Sequence, residues 1–402
     1  MQVKIQPSIA RGIAQAPPSK SMAHRYLIAA ALSNGKSVIS DVEYSQDILA
    51  TIDCLRALGV EITCEENRII LVGTGKLKPQ GVLDCRESGS TLRFMLPLCL
   101  LSGETAMLKG SARLMERPLS VYENLCNEQG FVFQQSGDTV TVCGCLKNGN
   151  YELNGSISSQ FISGLIFALL MCEGKSTLYL TEKIESRSYI DLTIQALNQF
   201  GFRVSWEAQD LLQIIGGCGK PQERTVEGDY SNAAFFDALN LLGGSVEVIG
   251  LNEDSLQGDR IYSDYFIEIS QGTPTLSLAD CPDLAPILMA MAAVFHGARF
   301  TDTARLKIKE SDRGAAMAKE LKKCGVRVDL FDNEIIVYGG MLAAPTETFD
   351  GHNDHRIVMS MAVLCAKLGG TIEGAQAVAK SFPRFFEQLK GLGIEVDIFE
   401  TE

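Results

Sequence analysis

Six times along this chain an apolar helical run ends at a glycine and passes into a strand-like segment: CLRALGVEI, NLCNEQGFVF, ALNQFGFRV, FIEISQGTPTL, ELKKCGVRV and QLKGLGIEV. The glycines concerned, Gly59, Gly130, Gly201, Gly272, Gly325 and Gly393, are separated by 71, 71, 71, 53 and 68 residues, a register that chance does not hold. A second series, Gly35, Gly103, Gly174, Gly244, Gly297 and Gly369, interleaves with the first at steps of 68, 71, 70, 53 and 72. Glycine suits both series because a helix commonly ends with a residue in the left-handed region, which only glycine enters without steric cost. Each unit then holds two helices and several strands, and the chain reads as six α/β units. Units of about 70 residues are too large for a linear solenoid and close into compact groups, so two groups of three are expected. The short step of 53 predicts a reduced strand and loop region in the fifth unit.

The remaining composition narrows the class. With 402 residues and 46% hydrophobic content the chain can bury a sizeable core. No apolar stretch reaches the roughly 18 uncharged residues of a membrane helix, and Met1–Ala10 has neither secretory nor transit character, so a cytoplasmic protein is expected. A net charge of −13 argues against nucleic acid or an anionic membrane as partner, although a focused cationic pocket for small anions stays compatible with it. The 12 cysteines are scattered through apolar helical patterns (Cys54, Cys99, Cys126, Cys172, Cys281, Cys365) and read as buried free thiols. Cys143 and Cys145 are spaced too tightly for a zinc knuckle, and the four histidines form no ligand cluster, so neither metal nor cofactor is expected.

Polar motifs recur at fixed phases of the repeat. The helix before each member of the second glycine series opens with SKSMAHR (Ser19–Arg25), ESGSTLR (Glu87–Arg93), SSQFIS (Ser158–Ser163), GDYSNAA (Gly228–Ala234), CPDLAP (Cys281–Pro286) or NDHR (Asn353–Arg356). The other helix opens with Ser45–Asp47, Glu116–Pro118, Ser186–Tyr189, Gly258–Arg260, Lys309–Arg313 or Lys380–Arg384. Ser, Asp, Gly and Pro are ordinary caps and first-turn residues. Lysine and arginine are disfavoured by the dipole at a helix N-terminus, yet Lys20, Arg117, Lys309, Arg356 and Lys380 are all expected at or beside one. Bound anions would remove that misfit by accepting backbone N–H bonds and pairing with the cations. Taken singly, each motif is as well read as a capped, solvated helix. Their placement at matching phases of six repeats favours a polyanion site.

These motifs carry a resemblance to the enolpyruvyl transferase family, and to its branch acting on shikimate 3-phosphate. Lys20-Ser21-x-x-x-Arg25, the SGSTLR of Ser88–Arg93, ERP, SSQ, the VEGD of Val226–Asp229, KESDR, NDHR and the KSFPRFFEQL of Lys380–Leu389 occur in the family's order, and the likeness covers the chain from about Gln2 to Leu392. The resemblance implies a two-domain inside-out α/β barrel of six βαβαββ repeats, three per domain. One domain would be residues 1–18 plus 227–402 and the other 19–226, with the active site in the interdomain cleft. A monomer is expected, and glyphosate is the inhibitor of that family.

In that family the enolpyruvyl group of phosphoenolpyruvate moves to the 5-hydroxyl of shikimate 3-phosphate through a tetrahedral adduct, with release of phosphate, on the route to chorismate and the aromatic amino acids. By motif match, Ser21, Arg25, Ser158, Ser159, Ser186, Tyr189, Asp283 and Lys309 are implied in the shikimate 3-phosphate site. Gly89, Arg117, Arg313, Arg356 and Lys380 are implied in the phosphoenolpyruvate site. Lys20 and Gln160 would serve both. Gly89 would leave room for a close backbone approach. The chemistry needs a base for the hydroxyl and an acid for the methylene carbon, and Asp283, Glu310 and Lys20 are the implied catalytic groups.

The chain departs from the family pattern at Glu87, where Asn is common, at Phe94, where Pro or Leu is usual, and at Arg305, where Asn is expected. The UDP-N-acetylglucosamine enolpyruvyl transferases share the fold, but they carry a lysine–asparagine motif and a loop cysteine, whereas Ser19-Lys20-Ser21 and a cysteine-free Ser111–Pro118 stand here. A noncatalytic sensor of phosphorylated metabolites would need the cations but not the Asp283 and Glu310 pair.

Overall fold

The computed structural model describes residues 1–340 and 342–400. They divide into two compact units, one built from Met1–Pro17 and the chain from Gly228 onward, the other from Pro18–Glu227. Each has its own apolar core, and the six cysteines expected inside are buried free thiols.

Among the described residues the strands form six sheets, and five of them share one plan. In the unit Pro18–Glu227, the strand Asn34–Ser40 runs parallel to Glu223–Thr225 on one side and antiparallel to Arg68–Thr74 on the other. Arg68–Thr74 in turn forms a hairpin with Glu61–Cys64. The same sequence of one parallel and two antiparallel pairings surrounds Ala106–Lys109 and Lys175–Thr181. It returns in the other unit around Ala298–Thr301 and Gly370–Glu373. Distant segments complete two of these sheets. Glu223–Thr225 returns to the first strand of its own unit, and Gln2–Ile5 takes the third place beside Gly370–Glu373. Strands such as Arg68–Thr74 alternate buried and exposed residues, the mark of a sheet with one face on a core.

The two helices of each repeat differ in burial. Lys20–Leu32 is buried from Met22 to Leu32, Ala285–Val294 from Ala285 to Ala293, and His355–Leu368 from His355 to Ala366. A helix that is apolar all round belongs inside a core. Their partners, such as Gln46–Ala57 and Arg187–Gln199, bury one face and leave the other wet. The first turns of the buried helices carry one of the two sets of polar motifs, so each motif of that set is held at the rim of a core. No helix among the described residues is long and apolar enough to cross a membrane.

The expected shortening lies in the fourth unit, not the fifth. Among the described residues its sheet holds only Ser245–Ile249 and Arg11–Gln15, because Thr275–Ser277 follows Gly272 almost at once and already pairs into the next sheet. The hairpin is absent, and the Asn240 side-chain amide takes the free edge instead, donating to the Val246 carbonyl at 2.8 Å and accepting from its N–H at 2.7 Å. Those backbone groups would otherwise be left for a third strand. Gly272 is also the member of its series that is extended, at φ −178°, whereas Gly59, Gly130, Gly201, Gly325 and Gly393 all have positive φ. With no hairpin to enter, the chain needs no left-handed turn there. In the second series Gly243, at φ 94°, takes the left-handed place expected of Gly244.

Candidate active site

The polar residues singled out from sequence form two sets, one in each unit. In the unit that includes Gly228 onward, Asp283 lies in the short turn Pro282–Leu284 that leads into the buried helix Ala285–Val294. Its Oδ1 accepts from Arg313 Nη1 at 2.7 Å and from Lys309 Nζ at 3.4 Å, and its Oδ2 accepts from Arg356 Nη2 at 3.3 Å. Burial by itself would raise the Asp283 pKa, but Lys309, Arg356 and Arg313 outweigh it and hold the carboxyl well below the usual range. Burial lowers Lys309 to about 8, Arg313 adding to the effect and Asp283 opposing it.

Arg313 is almost fully enclosed and faces three carboxylates. Nη1 donates to Asp283, Nη2 to Glu310 Oε2 at 2.8 Å, and Nε to Asp354 Oδ2 at 2.9 Å. Asp354 is also the N-cap of the helix His355–Leu368, accepting from the Arg356 N–H at 2.9 Å, and it takes the Ser311 hydroxyl at 3.0 Å. Arg356, a residue into that helix, is 3% exposed and donates through Nη2 to Ser231 Oγ at 2.8 Å and to Asp283. Its Nε and Nη1 are buried with no hydrogen-bond partner among the described residues. A buried guanidinium with idle donors is costly unless something anionic completes it. Lys380 is buried too, and its Nζ donates to the Asn353 carbonyl at 2.6 Å.

In the unit Pro18–Glu227, Ser19 caps the helix Lys20–Leu32, and Lys20 Nζ pairs with Asp47 Oδ2 at 2.7 Å. Asp47, which sequence reasoning placed only as a helix opener, is therefore the ion-pair partner of Lys20. Arg25 is buried between the rings of Phe94 and Tyr189, at 5.6 and 5.8 Å from their centroids. It donates to Thr193 Oγ1 at 2.8 Å and to the carbonyls of Ser21 at 2.7 Å and Tyr189 at 2.8 Å. Burial lowers its pKa to about 10, which leaves it charged at neutral pH. The unusual Phe94 is thus a core aromatic under Arg25 and against Phe167.

Ser88 caps the helix Gly89–Cys99, and a buried chain of hydroxyls ties that helix to the first one. His24 Nδ1 meets Thr51 Oγ1 at 2.8 Å, Thr51 meets Thr91 at 2.7 Å, and Thr91 donates to Ser88 at 2.8 Å. Burial, with Lys20 and Arg25 nearby, holds the His24 pKa well below its ordinary value, so this link is neutral. A Cβ on Gly89 would stand 2.7 Å from Arg117 Nη1, so the space expected for backbone approach is filled by the Arg117 guanidinium. Arg117 is 7% exposed and its buried Nε has no partner among the described residues.

Gln160 accepts from Arg93 Nη1 at 2.7 Å and donates to Ser90 Oγ at 2.9 Å. Ser158 caps its helix, Ser159 is buried behind it, and Ser186 holds the N-cap of Arg187–Gln199 at φ 53°. Glu87 is half-buried just before the Ser88 cap. Arg305 donates to the Ala279 carbonyl at 2.7 Å, and its charge helps lower Lys309.

The expectation that five cations open helices needs correction. Lys20 and Arg356 do lie in first turns, beside the N-caps Ser19 and Asp354. Lys309 instead follows the 3-10 segment Ala304–Ile308, and Lys380 ends the segment Ala375–Lys380, where a cation suits the dipole. Arg117 and Pro118 lie in the link between Ala112–Met115 and Ser120–Gln129, so Pro118 precedes the N-cap Leu119. The cation missing from that set of five is Arg313, first residue of Arg313–Lys322.

Residues 5–389 match the family profile described as EPSP synthase (3-phosphoshikimate 1-carboxyvinyltransferase). The chain is 39% identical to a 3-phosphoshikimate 1-carboxyvinyltransferase of Clostridium kluyveri and 36% identical to one of Clostridium novyi, in each case over 98% of both chains. Its fold superposes on a solved EPSP synthase of Acinetobacter baumannii with a TM-score of 0.79 at 25% identity, covering 99% of this chain and 100% of that one.

Proposed function

This chain belongs to the EPSP synthase family, and we propose that its two buried cation sets serve that family's reaction residue by residue. The activity is that of a 3-phosphoshikimate 1-carboxyvinyltransferase of the shikimate pathway, which moves the enolpyruvyl group of phosphoenolpyruvate to the 5-hydroxyl of shikimate 3-phosphate. Both substrates are polyanions. The observation that carries the site reading is Arg356, buried with Nε and Nη1 idle while Nη2 is engaged. With Arg117, Arg313, Gly89, Gln160, Lys20 and Lys380 it forms the phosphoenolpyruvate set. Lys20, Ser21, Arg25, Ser158, Ser159, Gln160, Ser186, Tyr189, Asp283 and Lys309 form the shikimate 3-phosphate set.

Asp283 is the base for the 5-hydroxyl in this reading. In the free protein three cations keep it ionised but weakly basic. A substrate phosphate or carboxylate that draws Lys309 and Arg356 onto itself raises the proton affinity of Asp283 as the hydroxyl arrives. Glu310, bound to Arg313, and Lys20, bound to Asp47, are the groups that exchange a proton with the methylene carbon. The cations meanwhile neutralise charge on the tetrahedral adduct and the departing phosphate.

The same reading takes the six units as three βαβαββ repeats in each of two domains, residues 1–18 plus 227–402 and residues 19–226, arranged as inside-out α/β barrels. Sheets with one buried face around all-round-buried helices support it. It also takes the protein as a cytoplasmic monomer with no nucleic-acid or membrane partner, as its charge of −13 suggests. The test is phosphate release from the two substrates together, with Arg356→Ala as the control. The variant is expected to raise the phosphoenolpyruvate KM by roughly 10- to 100-fold, the worth of lost charge-assisted hydrogen bonds. An unchanged KM would remove Arg356 from the site.

A further inference from the structure

Behind Arg356 and Lys380 lies a turn in an unfavourable conformation. His352 and Asn353 are consecutive non-glycine residues at φ 50° each, a region that L-residues enter at a cost. The turn is productive in that form. It presents the Asn353 carbonyl to Lys380 Nζ at 2.6 Å and is followed at once by Asp354, which caps the helix bearing Arg356 and binds Arg313. Something must hold it there.

The holding group is Glu320. It is a fully buried carboxylate on the helix Arg313–Lys322, about two turns beyond Arg313 and so on the same face. Its Oε1 meets His352 Nε2 at 2.7 Å, and its Oε2 accepts from the Asp350 N–H at 3.0 Å and from Lys323 Nζ at 2.6 Å. Lys323 is itself fixed by the Thr348 carbonyl at 2.7 Å. One helix therefore grips the segment at two points, Asp354 through Arg313 and the turn through Glu320. Burial would raise the Glu320 pKa, but His352, Lys323 and the Asp350 N–H outweigh it and lower it, so the grip is ionic at neutral pH.

We propose that Glu320, acting through His352, is a positioning residue for phosphoenolpyruvate: it keeps residues 350–353 in the strained turn that sets Lys380 and Arg356. The inference rests on the reading that these two cations bind that substrate. Glu320→Ala lets the turn relax toward ordinary φ, moves both cations and leaves the shikimate 3-phosphate residues of the other unit in place.

The experiment is steady-state kinetics in both substrates on Glu320→Ala and on His352→Ala, which removes a partly exposed partner without emptying the core. Each is also made with Asn353→Gly, and Arg356→Ala is run alongside. Displacing positioning groups by a fraction of an ångström is expected to raise the phosphoenolpyruvate KM about 10-fold while the shikimate 3-phosphate KM stays within about twofold. Adding Asn353→Gly removes the cost of positive φ at that residue and should recover most of the loss, which it cannot do for general damage to the fold. The proposal is overturned if both single variants keep a normal phosphoenolpyruvate KM while Arg356→Ala raises it, or if both KM values rise together without recovery by glycine. If Arg356→Ala itself has no effect, the underlying site reading fails, and this inference with it.

Discussion

Asp283 Oδ1 stands 2.7 Å from Arg313 Nη1, in a pair whose guanidinium is buried and already shared with Glu310 and Asp354. The carboxylate proposed for proton transfer is thus tied to a cation that two further carboxylates hold in place. Its bonds to Lys309 and Arg356 are the longer ones, at 3.4 and 3.3 Å, and in the proposed reading they are the ones an arriving anion competes for.

Asp283→Asn and Glu310→Gln are expected to lower kcat by roughly 10²- to 10⁴-fold, the usual worth of a positioned acid or base. The phosphoenolpyruvate KM should not rise in Asp283→Asn, because the change removes an internal competitor for Lys309 and Arg356. Saturation curves with a normal kcat and a raised KM would make these carboxylates binding residues and leave Lys20 as the proton donor.

Gly89→Ala should act through Arg117. The new Cβ would meet three guanidinium atoms at 2.7 to 2.9 Å, so Arg117 has to swing away. Loss of its placement is expected to raise the phosphoenolpyruvate KM about 10-fold with little change for shikimate 3-phosphate. Equal KM values for variant and parent would show that Arg117 can move without consequence.

Arg313→Ala is expected to destabilise the fold by roughly 3–5 kcal/mol, because the fully buried Asp354 loses its guanidinium partner while the half-buried Asp283 and Glu310 lose one of theirs. Burial raises the Asp354 pKa and Arg313 is the main group that opposes it, so without Arg313 this carboxylate takes up a proton more readily as pH falls. The deficit in denaturant melts should be largest near neutral pH and shrink as pH falls. A deficit independent of pH would mean that lost packing, not charge, is responsible.

Lys309 gives the pH dependence. Its pKa of about 8 lies below that of a free lysine, so the folded protein gives up this proton earlier and binds fewer protons than the unfolded chain between pH 8 and the ordinary lysine range. Fold stability should therefore rise across that interval, while kcat/KM for shikimate 3-phosphate falls as pH passes about 8 and the cation is lost. Lys309→Arg, which stays charged, should abolish the alkaline fall. A fall that persists in that variant would belong to another group.

The repeat was visible in the one-dimensional chain because its signals are local. A glycine at a helix end and a Ser or Asp at a helix start depend on a few neighbouring backbone groups, and Ser19, Ser45, Ser88, Asp229, Asp312 and Asp354 all cap helices with their side chains. The same reasoning misplaced Lys309, Lys380 and Arg117 as helix openers, because 3-10 segments and short links are set by how neighbouring helices leave room. The missing hairpin was assigned one unit too late, since the spacing of glycines reports that residues are lacking but not which strands those residues would have formed. Partnerships were beyond local reasoning altogether. Lys20 with Asp47, Gly89 with Arg117, and Arg313 with Asp283 and Asp354 join residues 27 to 41 positions apart. Glu320 with His352 is another such pair, 32 positions apart. No period or cap motif connects such residues; they meet because buried helices and one-sided sheets pack in a single arrangement, and burial then makes each charge find its partner.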